Sequence, residues 1–132
     1  MNTHLDIPVI VIVDDDELDR MIIRRAIQTT VKDCEFCECS TPKEALTLLD
    51  NRAADLVISD VNMGLYSGFE LVETINNSGL DRVPKIILMS GHVSEDDALK
   101  AKTYTPLPLL TKPMSGEQSQ IFGRAIADCL SA

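Results

Sequence analysis

Val9-Ile10-Val11-Ile12-Val13-Asp14-Asp15-Asp16 is a run of five β-branched residues leading directly into three aspartates. Branching at Cβ favours an extended backbone. The run is apolar at every position rather than at alternate ones, the pattern of a strand covered on both faces, as in a parallel sheet. Three later runs end in similar fashion. Leu56–Ile58 passes through Ser59 into Asp60, Ile86–Met89 ends at Ser90, and Leu109–Leu110 passes through Thr111 into Lys112-Pro113. If the four are parallel strands, their carboxyl ends share one edge. Carboxylates, a hydroxyl and an ammonium then line one crevice, as in a metal-assisted phosphate site.

The segments between these runs have helical periodicity, and alternation of strand and helix predicts βαβ units. A helix is expected from about Asp16 to Thr30, with Ile22, Ile23, Ala26 and Ile27 on its apolar side. Cys34–Cys39 reads as a second, more polar strand near the sheet edge. Thr41-Pro42-Lys43-Glu44 is a capping box with proline at the first helical position, followed by Ala45, Leu48 and Leu49. The third strand is Leu56–Ser59. Ser67 and Glu70 have capping-box spacing ahead of Leu71, Val72 and Ile75, and Gly79 is a helix stop. Lys85–Met89 is the fourth strand. Ser94 caps a short helix with Glu95, Asp96 and Asp97 in its first turn. Leu107–Leu110 is the fifth strand, and Pro108 confines it to an edge. Ser115 and Gln118 cap a last helix that buries Phe122, Ala125, Ile126 and Cys129.

The bulk composition agrees with one domain over residues 1–132. The chain has 132 residues, of which 45% are hydrophobic, enough for a single core. No apolar run approaches the ~20 residues of a membrane span, no signal peptide is evident, and a cytosolic protein is expected. The net charge of −9, with no basic stripe, argues against nucleic acid as a partner. Cys37 and Cys39 share a face of their strand while Cys34 points to the other. Such a trio does not make a tetrahedral zinc site, and reduced, buried or half-buried thiols are expected.

Ligands of an open parallel sheet bind beyond the carboxyl ends of its strands, where the strand order reverses. Asp14, Asp15 and Asp60 are the candidates there. Two unit charges ~4 Å apart repel by about 4 kcal/mol at an effective dielectric near 20, so a structural role alone does not gather three carboxylates. A hard divalent cation resolves the conflict, and Mg2+, with few protein carboxylates and several waters, fits best. Lys112 adds a fixed positive charge, and together metal and ammonium could neutralise an incoming phosphoryl group. Asp60 stands alone at its strand end and is the expected nucleophile. Asp14 and Asp15 form a metal-holding pair, and Ser90 is placed to hydrogen-bond the phosphoryl oxygen. Singly, these residues have ordinary readings as turns and caps, and Asp16 is read as a cap. His4 is expected in solvent and His92 in an exposed loop at the site's rim. The shared position at successive strand ends is what carries the reading.

With those residues in place the chain resembles a response-regulator receiver domain, the phosphoacceptor module of two-component signalling, from Val9 to about Leu130. Asp14 and Asp15 match the family's acidic pair. Asp60-Val61-Asn62-Met63-Gly64-Leu65-Tyr66-Ser67-Gly68 matches its Asp-x-x-Met-Pro-x-x-x-Gly motif, Ser90 its Ser/Thr, and Lys112-Pro113 its Lys-Pro. The resemblance implies a doubly wound, flavodoxin-like α/β fold: a five-stranded parallel sheet of order 2-1-3-4-5 flanked by five helices. It implies Mg2+ held by Asp15, Asp60 and the backbone carbonyl of Asn62, with Asp14 acting through water. It also implies phosphoryl transfer onto Asp60 from a sensor histidine kinase or a histidine phosphotransfer protein, and a cis Lys112–Pro113 peptide. Three departures stand out. Gly64 replaces the motif's proline, so a looser loop is expected. Leu109 occupies the position where receivers often carry a switching aromatic, so that switch is not expected. Lys102-Thr103-Tyr104-Thr105-Pro106 lacks the usual Ala-Gly-Ala-type turn, which implies an unusual surface near the fourth helix.

The expected role is a phosphorylation switch passing its signal to another protein, not a turnover enzyme. An alternative is a receiver that forms part of a larger regulator or kinase. A rival of another class is a haloacid-dehalogenase-type phosphatase using Asp14 as nucleophile. The chain is short for that fold with a cap and lacks a further acidic pair after the fourth strand. A third reading, an interaction module that has lost the chemistry, is opposed by the complete set of site residues.

Overall fold

The computed structural model describes residues 7–131. Strands β1 (Val9–Val13), β2 (Glu35–Cys39) and β3 (Leu56–Asp60) are followed by a small hairpin, β4 (Asn62–Met63) and β5 (Tyr66–Ser67), and then by β6 (Lys85–Ser90) and β7 (Leu110–Thr111). Five helices connect them: α1 (Glu17–Gln28), α2 (Pro42–Asn51), α3 (Gly68–Asn76), α4 (Glu95–Lys102) and α5 (Gly116–Ser131). The main sheet is parallel, with order β2-β1-β3-β6-β7. Without the hairpin this is the expected 2-1-3-4-5.

Strict alternation along the central strands divides the core in two. Val11, Val13, Val57, Ile86 and Leu88 face α2, α3 and α4, packing with Ala45, Leu49, Leu71, Val72, Ile75 and Ala101. Ile10, Ile12, Leu56, Ile58, Ile87 and Met89 face α1 and α5, meeting Ile23, Ala26, Ile27, Phe122 and Ile126. Strands clothed on both sides need apolar residues at every position. The thiols obey the same alternation. Cys37 and Cys39 belong to the first face and Cys34 to the second, and all four cysteines are free.

Local chemistry sets the helix boundaries. Asp16 caps α1 by accepting from the Asp19 N–H at 3.1 Å. The Thr41 hydroxyl accepts from the Glu44 N–H, Ser94 from Asp97, and Ser115 from Gln118. Each bond satisfies an N–H that a helix start leaves without a partner. Ser67 caps α3 through Phe69 rather than Glu70.

Three expectations are corrected. The edge strand is not Leu107–Leu110: it begins only at Leu110, beyond Pro108, pairing Leu110 with Met89 and Thr111 with Ser90. Pro108 has no N–H to give a ladder. Further back, the buried Thr105 hydroxyl takes over, donating to the Ile86 carbonyl at 2.9 Å. The segment after Asp60 is a short hairpin rather than an open loop. Gly64, at φ +67°, closes the β4–β5 hairpin, because a two-residue hairpin turn needs a positive φ that proline cannot adopt. The Lys112–Pro113 peptide is trans, since the described residues contain no cis peptide bond. Trans is the intrinsically favoured isomer by ~0.5–1 kcal/mol, and the lysine reaches the site from it. No helix among the described residues is long and apolar enough to cross a membrane. His4 lies outside the described residues.

Candidate functional site

The acidic residues stand at the ends of adjacent strands. Asp14 follows β1, and its N–H extends the ladder to the Cys39 carbonyl at 3.0 Å. Asp60 ends β3, and the next N–H, that of Val61, reaches the Met89 carbonyl at 2.9 Å. Lys112 follows β7 at the sheet edge, its N–H bonded to the Ser90 carbonyl at 2.8 Å. These backbone bonds fix where the side chains emerge.

The Lys112 ammonium is the hub. Its Nζ lies 2.8 Å from Asp14 Oδ2, 2.8 Å from Asp19 Oδ2 and 2.8 Å from Asp60 Oδ2. The contacts to Asp19 and Asp60 are hydrogen bonds. The contact to Asp14 is an ion pair with poorer alignment, so Asp14 Oδ2 remains a buried oxygen without a hydrogen-bond partner. Asp14 Oδ1 accepts from the Asp16 N–H at 3.0 Å, and the Asp14 carbonyl accepts from Arg20 at 2.6 Å. Asp60 Oδ1 accepts from the Asn62 N–H at 3.2 Å. Both Asp60 oxygens are therefore held in place.

Burial and charge act against one another here. Asp14 is fully buried. Loss of hydration lifts its carboxyl above the ordinary value of 3.8, against the pull of Lys112 and the Asp16 N–H, with the Asp60 charge adding to the rise. Burial pulls the Lys112 ammonium downward, but Asp14, Asp19 and Asp60 outweigh it and hold the group above its usual range. The lysine stays charged.

Asp14, Asp15 and Asp60 bring one carboxylate oxygen each within 4.8 Å of one another, with Asp15 exposed to solvent. Charges at that spacing repel by about 3.5 kcal/mol per pair at an effective dielectric near 20. Three hard carboxylate oxygens, one of them from the fully buried Asp14, are a donor set suited to a small divalent cation.

Two glycines shape the floor. A Cβ on Gly68 would lie 2.3 Å from the Asp60 carbonyl oxygen, and the Gly68 N–H donates to the Val61 carbonyl at 3.0 Å. Gly64 turns directly over the site, where its added Cβ would meet Asp15 Oδ2 at 3.9 Å.

The structure thus gathers Asp14, Asp15, Asp60 and Lys112 as expected. Asn62 lends its N–H, and its side chain is exposed. Ser90 ends β6, but its hydroxyl is turned to the next loop, donating to the His92 carbonyl at 3.0 Å and accepting from the His92 N–H at 3.3 Å. Pro113 is buried, and Leu109 is half-buried against the α2–α4 face. Asp19 was missed from sequence. It sits in the first turn of α1, and nothing in the sequence ties it to Lys112, 93 residues away.

The family model described as the response regulator receiver domain matches residues 10–121. The two-component response regulator ARR2 of Arabidopsis thaliana is 34% identical over 107 residues, which take in 80% of this chain but 15% of that protein. The chain therefore spans a small part of the length of such relatives. Among solved structures, a response regulator from Thermotoga maritima superposes with a TM-score of 0.80 at 20% identity, covering 96% of this chain and 99% of that one. The Mn2+-bound form of response regulator Rcp1 superposes with a TM-score of 0.75 at 19% identity, covering 95% and 96%. With the match extending from the second residue of β1 into α5, the chain belongs to the response regulator receiver domain family of two-component systems.

Proposed function

We propose that this receiver domain accepts a phosphoryl group on Asp60 from a phosphohistidine of a sensor kinase or phosphotransfer protein. The observation that carries the reading is the Lys112 ammonium, 2.8 Å from Asp60 Oδ2, beside a cation-ready group of carboxylates. An Asp60 oxygen attacks phosphorus and forms the new O–P bond. The N–P bond of the donor breaks, its electron pair stays on the imidazole, and that nitrogen is reprotonated from solvent. Asp15, Asp60 and the Asn62 carbonyl would hold Mg2+, with Asp14 acting through water. When bound, the metal supplies positive charge that offsets the charge of the transferring group. Response regulator Rcp1, which shares this fold, was solved in an Mn2+-bound form, in keeping with a divalent ion as ligand.

Lys112 opposes the charge on the phosphoryl oxygens from the other side. The Ser90 hydroxyl exchanges its His92 partners for a phosphoryl oxygen, and that rotation is the switch. Leu109 has no ring to follow it, so the surface change lies in the Ser90–Ser94 loop and α4, and a downstream protein reads it there. The chain acts as one domain in the cytosol, in a single transfer and self-hydrolysis rather than in turnover.

The test is incubation with acetyl phosphate and Mg2+ followed by intact-mass measurement. One added phosphoryl group is expected, lost with a chelator and lost in Asp60→Asn. A label that persists in Asp60→Asn and vanishes in Asp14→Asn would replace this reading with a phosphatase-like one.

A further inference from the structure

Asp19 belongs to none of the motifs that define the site, yet it takes one of the three N–H bonds that the Lys112 ammonium can give. The contact joins residues 93 apart in sequence, across the mouth of the crevice between α1 and the segment after β7. Both ends are fixed. The Asp19 N–H is tied to the Asp16 cap, and the Lys112 N–H is tied to the Ser90 carbonyl at the sheet edge. The Lys112 side chain is 14% exposed, so this is not an ion pair in open solvent.

Asp19 also lies outside the trio whose oxygens converge within 4.8 Å. Asp14 and Asp60 are claimed both by that trio and by the ammonium. A cation arriving among the trio would compete with Lys112 for those two carboxylates. Asp19 is the one carboxylate contact of the ammonium that stays available.

Building on the receiver reading above, we propose that Asp19 is a positioning residue that retains Lys112 at the rim while a divalent cation enters. It thereby favours the cation. It also competes with the phosphoryl group for the same ammonium, so it weakens the hold on that group. The two effects have opposite signs. Three carboxylates around one ammonium set a cation-favouring balance that removal of Asp19 shifts toward anions.

The experiment measures two equilibria on wild type, Asp19→Asn, Asp19→Glu and Glu17→Gln, each first shown to melt cooperatively near the wild-type temperature. One is Mg2+ alone by titration calorimetry. The other is beryllofluoride, a tetrahedral phosphoryl mimic, at saturating Mg2+. Asp19→Asn is expected to weaken Mg2+ and to tighten beryllofluoride, each by about three- to fivefold, the scale of a partly exposed ion pair. Asp19→Glu is expected to restore both toward wild type. Glu17→Gln removes an equal charge from the same helix end without touching Lys112. It is expected to leave both unchanged at 150 mM salt, where exposed charges beyond ~8 Å are screened.

Unchanged affinities in Asp19→Asn would overturn the proposal, as would both weakening together or Glu17→Gln matching Asp19→Asn. A wild-type protein that binds neither ligand would instead remove the receiver chemistry itself, and this inference with it.

Discussion

Gly68 and Asp60 are in backbone contact: a Cβ on Gly68 would lie 2.3 Å from the Asp60 carbonyl oxygen and 3.0 Å from Val61 Cα. The glycine closing the nine-residue motif is thus explained by space. Its backbone dihedral is not among the positive ones, so conformational freedom is not the reason. Gly68 opens α3 and lets that helix start against the floor of the site.

Gly68→Ala should therefore destabilise the fold, although alanine is the better helix former by ~1 kcal/mol. Backbone on backbone cannot yield as a side chain can, and overpacking of this kind costs about 1–3 kcal/mol. Thermal melting should show a fall of roughly 3–10 °C for a domain of this size. Gly91→Ala, where the added methyl group meets open space, should melt as wild type does. Equal melting of the two variants would show that the close approach is relieved at no cost.

Asp14 makes stability and metal binding respond to pH in opposite ways. Its carboxyl is raised above 3.8 by burial, so the folded protein holds that proton more tightly than the unfolded chain does. The resulting stability is present below the unfolded value and is lost as pH rises through the folded one. In chelator at pH 7, Asp14→Asn should melt above wild type, and the gap should close as pH falls toward 3.8. Mg2+ requires the ionised carboxylate, so wild-type affinity should decline as pH is lowered through the raised value. Melting curves across pH and calorimetric titrations check the two halves. An Asp14→Asn protein that melts below wild type at pH 7 would mean that the contact with Lys112 outweighs the cost of burial.

Thr105 carries the ladder where the edge strand is missing. Its buried hydroxyl donates to the Ile86 carbonyl and accepts from the Leu107 N–H at 3.2 Å. Thr105→Val keeps the shape and leaves both groups without that partner, at a cost of about 1–3 kcal/mol. The urea midpoint should fall without a change in slope. A changed slope would show instead that the edge has unravelled.

Much of this was legible because the informative chemistry was local. Val9–Val13, Leu56–Ile58 and Ile86–Met89 are apolar at every position, which announces strands covered on both faces, and Thr41, Ser94 and Ser115 cap where cap residues precede periodic runs. Asp14, Asp15, Asp60 and Lys112 followed from their places at strand ends. What was missed depended on distance or on the sign of one dihedral. The Lys112 partner Asp19 is 93 residues away. The hairpin after Asp60 turns on the positive φ of Gly64. Pro108 does mark the edge strand, but its missing N–H also shortens that strand to Leu110–Thr111.

Where the phosphoryl group sits is the central claim, and borohydride reduction locates it directly. An aspartyl phosphate is reduced to homoserine, which peptide sequencing assigns to one residue. After reaction with acetyl phosphate and Mg2+, homoserine should appear at position 60 alone. Homoserine at position 14 or 15, or a labelled protein that yields none, would contradict the assignment of Asp60 as the acceptor.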